Sequence, residues 1–366
     1  MAQRNGAAVS NGGAVARAAG AVRGSVMPEQ LLEQLLAEVR QWRPVVRERI
    51  AEMEQRGDIL PELLAWLRER RLFKLFVPKE FGGLEFTLTA AVRLYEELAA
   101  LDGSLGWLVQ IGAGGGFFVP SFPPEVAREL FAPPEAVIAG TSYVGGRARR
   151  LPKGFCVSGY WRYASGAAYA TLFTAQAEVE GEGIAAFAFR REEVTLIPEW
   201  EPLGMRATSS WSFEVRELVV PPERCFRVGQ RLWEPGLSVY ALPFSLFAYA
   251  SIGAVAVGLA RALAEEAELL GCGRFVQACA QELAEIRARF FELVAWAEGL
   301  SPESSPARAA ELEREIAALL EQLRMSLLRA MPLLGMRAVL RPYALERLLR
   351  DLLTLYQHEL LRMWWG

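Results

Sequence analysis

Few side chains in this sequence can do acid–base chemistry near neutrality. His358 is the only histidine among 366 residues, and histidine is the side chain whose ordinary pKa lies closest to physiological pH. It stands next to Glu359 and seven residues after the aspartate of an Arg350-Asp351 pair. Read as part of a helix over 344–365, His358 lies among Leu355, Leu361 and Trp365. There a lone histidine serves either as a satisfied core residue or as a base. Glu359 points about 100° further round such a helix, so only one of the two readily faces a given pocket, and a solvated helix face is the plain reading of Glu359. Cys156, Cys225, Cys272 and Cys279 form no Cys-x-x-Cys pair and read as buried thiols of a reducing cytoplasm.

Composition narrows the chemistry further. Forty Lys+Arg against 43 Asp+Glu leave a net charge of −3, which disfavours nucleic acid as a general partner. One histidine excludes a multi-histidine metal site, so no metal is expected. With 52% hydrophobic residues the chain is too apolar for disorder and long enough for two or three domains. Lysine occurs only at 74, 79 and 153, and asparagine only at 5 and 11; the arginine excess reads as genomic base composition. Residues 1–26 contain Arg4, Arg17 and Arg23 but no acid. They suit a floppy extension before Met27 better than a transit peptide, because they lack an amphipathic period. Residues 235–260 are uncharged and long enough to span a bilayer. Pro243 and three serines interrupt them and no basic cluster flanks them, so the expected structure is a buried helix of a soluble bundle, with no membrane partner.

Three textures must position these groups. Residues 27–134 repeat apolar side chains at three and four residues, as in Leu31, Leu32, Leu35, Val39 and Trp42. Further helices are expected over 59–71 and 88–101. Residues 135–231 switch to a period of two, with runs at 137–142, 156–163, 172–179, 184–190 and 212–220, predicting an antiparallel domain of about five to seven strands. Residues 232–366 are helical again, over 244–270, 274–299, 306–330 and 344–365, with breaks at Ser301-Pro302 and Arg341-Pro342. This predicts a C-terminal four-helix bundle and an α+β protein after a disordered extension over 1–26.

That order, with five segments in sequence, resembles the acyl-CoA dehydrogenase superfamily. The segments are LFKLFVPKEFGG over 72–83, YEELAALDGSLGW over 95–107, VSGYWRYASG over 157–166, the stretch 204–221 beginning GMRATSSW, and LERLLRDL over 345–352. The resemblance implies an acyl-CoA dehydrogenase-like fold: an N-terminal helical domain, a central β domain and a C-terminal bundle. The pattern Trp161-x-Tyr163-x-Ser165-Gly166 is similar to that of the branch of flavin-dependent monooxygenases that use reduced flavin from a separate reductase, and so is a histidine seven residues after the R-D aspartate. The resemblance therefore implies a flavoprotein oxidoreductase, cytoplasmic, binding FMN or FAD and a small organic substrate, and assembled as a homo-oligomer (dimer or tetramer). It gives His358 the part of catalytic base or anchor and Ser165 that of hydrogen-bonding partner near flavin N5, in a site that must be kept dry. Trp161 and Tyr163 would wall the ring beside Gly166. Thr208, Ser210 and Ser142 would meet flavin polar groups, and Trp107 and Glu359 would line the substrate pocket.

Two other readings stay open on sequence. In dehydrogenases of the superfamily a catalytic Glu stands eight residues after the R-D aspartate, which is Glu359 here, although Leu360-Leu361 replaces the expected Gly-Thr. A non-catalytic member is the second, since the connection between the first two bundle helices shrinks to LGCGR over 270–274. That leaves Arg274 as the one substitute for a phosphate-binding arginine.

Overall fold

Prolines and capping residues set most helix starts. In the computed structural model, which describes residues 28–300, 306–341 and 343–362, α1 (Pro28–Gln41), α2 (Arg43–Arg56) and α3 (Pro61–Glu69) each carry proline in the first turn, where its missing N–H costs nothing. α1 buries Leu32, Leu35, Leu36 and Val39, as the periodicity requires. α2 buries only Val46 and Met53, which is why its pattern was not legible. α4 (Leu88–Leu101) begins where the Thr87 hydroxyl accepts from Ala90 N at 3.2 Å. α5 (Gly103–Gly114) follows directly, capped by Asp102, whose carboxylate accepts from Leu105 N at 3.0 Å. α6 (Pro124–Phe131) closes this region.

The β region is one seven-stranded sheet, with β1 (Ile138–Leu151), β2 (Gly154–Ala164), β3 (Leu172–Val179), β4 (Gly183–Arg190), β5 (Thr195–Ile197), β6 (Trp211–Val220) and β7 (Cys225–Phe226). Their order is β5-β6-β2-β1-β3-β4-β7. The expectation of a purely antiparallel sheet is corrected, because β1 and β3 are parallel. After the β1–β2 hairpin the chain crosses to the far side of β1 before laying down β3. β1 also runs well beyond 142, since Arg147, Arg149 and Arg150 are surface positions of a strand that an apolar run does not reveal.

The C-terminal region contains α7 (Phe244–Leu269), α8 (Gly273–Glu298), α9 (Pro306–Ala330), α10 (Ala344–Leu355) and α11 (Glu359–Arg362). Pro243 is the N-cap of α7, not a break inside it. α7 is long and apolar enough to cross a membrane, yet 94% of its apolar stretch is buried inside the protein. Where α7 brings charge to this core, it is paired, as buried charge must be. Arg261 of α7 meets Glu96 at 3.2 Å and Glu97 at 2.9 Å, and Arg40 of α1 meets Glu97 at 3.1 Å. The single helix expected over 344–365 is divided, since α10 and α11 are separated by a turn at 356–358. Residues 1–26 with Met27, the break at 301–302, Pro342 and Trp365 lie outside the described residues.

Candidate active site

Three parts of the chain converge on one polar cluster: α5, the end of β2 with the 204–210 loop, and the segment from α10 to α11. α5 presents Trp107, whose indole Nε1 donates to Ser165 Oγ at 2.9 Å. The Ser165 and Ser210 hydroxyls are 2.7 Å apart, and those of Ser210 and Thr208 are 2.7 Å apart. Thr208 donates to the Met205 carbonyl at 2.9 Å, which also accepts from Trp200 Nε1 at 3.1 Å. Thr208 is 0% and Ser210 2% exposed, so these hydroxyls satisfy one another instead of water. On its other side, Trp107 meets the His358 ring edge-on, with centroids 5.4 Å apart.

A bulge in β2 aims these groups. Trp161 pairs with Phe213 and Ala164 with Trp211, so Arg162 and Tyr163 together face only Ser212 of β6. Tyr163 takes a positive φ of 66° there. Such a two-against-one step reverses the alternation of side chains. Without it, Trp161, Tyr163 and Ser165 would share one face.

The bulge corrects one expectation. Trp161 does not wall a ligand site. It is 0% exposed, stacked on Phe213 in the core of the sheet at 5.2 Å, and its Nε1 donates to Gln176 O at 2.8 Å. Tyr163 turns outward, 61% exposed and edge-on to Trp200. Gly166 joins the cluster through its N–H, which donates to Thr208 O at 2.9 Å. Ser142 is exposed at a bulge of β1, the strand beside β2, and takes no part in the hydroxyl chain. Glu359 is exposed in the first turn of α11, and Arg274 is exposed in the first turn of α8.

The loop over 204–210 is clamped to α10. Met205 N donates to Asp351 Oδ1 at 2.6 Å, and Gly204 N donates to Thr354 Oγ1 at 2.9 Å. The approach demands glycine, since a Cβ at Gly204 would stand 2.2 Å from the Arg350 carbonyl. A Cβ at Gly103 would likewise crowd Asp351 Oδ2 at 3.0 Å. Arg347 sits between two buried acids, 3.0 Å from Asp102 and 3.5 Å from Asp351. Burial raises both carboxyls, against the pull of Arg347, and neighbouring acids add to it, Glu54 at Asp102 and Asp102 with Glu54 at Asp351, which is pushed up to about 7.

His358 lies in the turn after α10, not within a helix. Its Nδ1 is buried and meets no hydrogen-bond partner among the described residues. Burial, and then the nearby Arg362, lowers its pKa to about 4. The imidazole is therefore neutral at pH 7, with a ring nitrogen free to accept a hydrogen bond. This depressed value favours the fold fully above pH 6.5, and that contribution is lost as pH falls towards 4. Because His358 is the only histidine, imidazole NMR of the intact protein gives one assignable signal. Its titration midpoint is expected near 4; a midpoint near 6.5 would mean a solvated ring.

Of the residues that the motifs single out, the fold brings Trp107, Ser165, Thr208, Ser210 and His358 together. The Met205 carbonyl and Trp200 carry no such mark, because a backbone acceptor has no sequence signature and Trp200 lies outside the matched motifs. Cavities of about 580 Å³ beside Trp42 and Trp66, and about 130 Å³ beside Arg150 and Cys225, share no lining residue with the cluster.

Residues 29–127 match the family model of the acyl-CoA dehydrogenase N-terminal domain. A pigment production hydroxylase of Rhodococcus sp. is 30% identical over 63% of this chain and 63% of its own length. An indole-3-acetate monooxygenase of Pseudomonas putida is 25% identical over 85% of this chain and 86% of its own. The chain thus spans under two thirds of the first of these relatives. Among solved structures, the HsaA monooxygenase from M. tuberculosis superposes with a TM-score of 0.83 at 20% identity, covering 90% of this chain and 95% of that one. XiaF from Streptomyces sp., in complex with FADH2 and glycerol, gives 0.81 at 18%, covering 91% and 93%. The architecture of this chain is the acyl-CoA dehydrogenase fold.

Proposed function

We propose that this chain is the oxygenase component of a flavin-dependent monooxygenase, acting with O2 on a small aromatic substrate and receiving reduced flavin from a separate reductase. The observation that carries this reading is the cluster itself. A neutral histidine with an unpartnered Nδ1 stands beside a tryptophan that hydrogen-bonds a buried serine. The relatives support it by their names, which are those of monooxygenases and hydroxylases acting on aromatic compounds.

The residues present suit a flavin. Ser165 offers a hydroxyl held by two hydrogen bonds at the end of β2, Tyr163 an outward aromatic face, and the hydroxyl chain behind Ser165 is buried. Bound reduced flavin would supply the electrons that activate O2. The chain's own residues would fix the ring at Ser165, and anchor a substrate hydroxyl by a hydrogen bond to the neutral imidazole of His358. Glu359 is exposed and apart from the hydrogen-bonded cluster, which disfavours a dehydrogenase that uses it as base. Homo-oligomer formation fits the exposed Met325, Leu328, Met336, Val339 and Leu340 of α9 and the segment after it.

The test is anaerobic titration with oxidised and dithionite-reduced FMN and FAD, followed by absorbance and tryptophan fluorescence. Binding of the reduced form, and formation of hydroxylated indole or p-hydroxyphenylacetate on admitting O2, is the expected result. No binding in either redox state would reject the proposal and favour a non-catalytic member of the fold.

A further inference from the structure

The donors and acceptors behind Ser165 can be assigned a direction. A carbonyl only accepts and an indole N–H only donates. The Met205 carbonyl therefore takes the Thr208 proton, alongside that of Trp200 Nε1. With its proton committed, Thr208 can only accept from Ser210 across their 2.7 Å contact. Ser210 has then used its own proton and must accept from Ser165 across the next 2.7 Å. Trp107 Nε1 occupies one lone pair of Ser165 from the other side. The opposite direction would leave Thr208 Oγ1 and the Met205 carbonyl facing each other as two acceptors at 2.9 Å. Ser210 and Thr208 are buried, so water does not readily reset the chain.

We infer that Thr208 and Ser210 are positioning residues that make Ser165 an acceptor-only hydroxyl, so that the site selects reduced over oxidised flavin. This rests on the flavin reading above. Ser165 keeps one lone pair and no proton for a ligand. On two-electron reduction isoalloxazine N5 changes from acceptor to N–H donor in every protonation state, whereas N1 does so only in the neutral reduced form; N5 is the position that the proposed function sets beside Ser165. An acceptor-only hydroxyl there bonds the reduced ring and faces the oxidised ring lone pair to lone pair. A component that takes reduced flavin from solution and returns it oxidised needs that bias.

Ser210→Ala removes the acceptor of the Ser165 proton and frees it to donate to oxidised N5. The expected result is a fall of about tenfold in the ratio of Kd for oxidised to Kd for reduced FMN. The midpoint potential of bound flavin then drops by about 30 mV, the two-electron equivalent of tenfold. Thr208→Val, which removes the proton that sets the direction, is expected to shift the ratio the same way, and it serves if Ser210→Ala fails to fold. Oxidised 5-deaza-FMN has no N5 acceptor, and its Kd is expected to be the same in the wild type and in Ser210→Ala. If the wild type binds flavin and neither substitution moves the ratio, the inference is overturned while the proposed function stands. If 5-deaza-FMN shows the same shift as FMN, the effect is not at N5 and the inference is overturned likewise. If the wild type binds no flavin, both fall together.

Discussion

Replacing His358 with alanine is expected to lower product formation by about 10²- to 10⁴-fold, the usual contribution of a positioned acid–base group, while reduced flavin still binds. The expectation comes from the state of the ring. It is neutral at pH 7, its pKa is lowered to about 4, and its Nδ1 is buried without a partner among the described residues. Orphaning a buried polar atom costs a fold about 1–3 kcal/mol, so a histidine kept only for packing would be a poor choice beside Trp107. Alanine there is expected to leave thermal stability unchanged or slightly improved, and residues that weaken a fold while serving a site behave this way. The measurement is the ratio of hydroxylated product to hydrogen peroxide after a pulse of chemically reduced flavin and O2. The wild type should favour product, and the variant should release peroxide. A loss of less than threefold, with stability lowered, would make His358 a core residue.

Much of the fold was legible because hydrophobic periodicity is a strong signal in long segments. α4 was expected over 88–101 and lies there. α5 has no counterpart among the expected helices, because its glycines interrupt the apolar period; two of them allow close approach to α4 and α10. The parallel β1–β3 pairing was hidden because crossover topology leaves no mark on a single strand's pattern. In the site, five of the motif residues lie together, but Trp161, Ser142 and Glu359 do not join them, and the face on which each residue lies was not legible. Trp161 and Tyr163 are two residues apart and alternation alone puts them together; one bulge residue sends the first into the core and the second to the surface. Backbone geometry of that kind depends on the partner strand, and no reading of β2 by itself supplies it.

Asp351→Ala is expected to be the most destabilising single change in the cluster, by about 3 kcal/mol. The carboxylate is the acceptor for Met205 N at 2.6 Å and one of two partners of the mostly buried Arg347. Alanine leaves a buried N–H unsatisfied and gives Arg347 only Asp102. The check is a lower urea midpoint with an unchanged m value. Asp351→Asn keeps an acceptor for Met205 N and should cost less, but it should change the pH dependence. Two acids share one base here, and burial holds the Asp351 pKa up at about 7 against an ordinary 3.8. A raised acid favours the fold fully below its unfolded pKa, and that contribution is lost as pH rises through the folded value. Between pH 4 and 7 the wild type should therefore lose stability relative to Asp351→Asn; parallel curves would show that Asp351 does not titrate in that window. The same clamp links the aspartate to the histidine seven residues on. Asp351 fixes the loop whose Met205 carbonyl sets the direction of the hydroxyl chain, and that chain ends at Ser165, which Trp107 joins to His358. Cutting the clamp is thus expected to abolish the preference for reduced flavin as well as to weaken the fold, whereas His358→Ala should leave that preference intact.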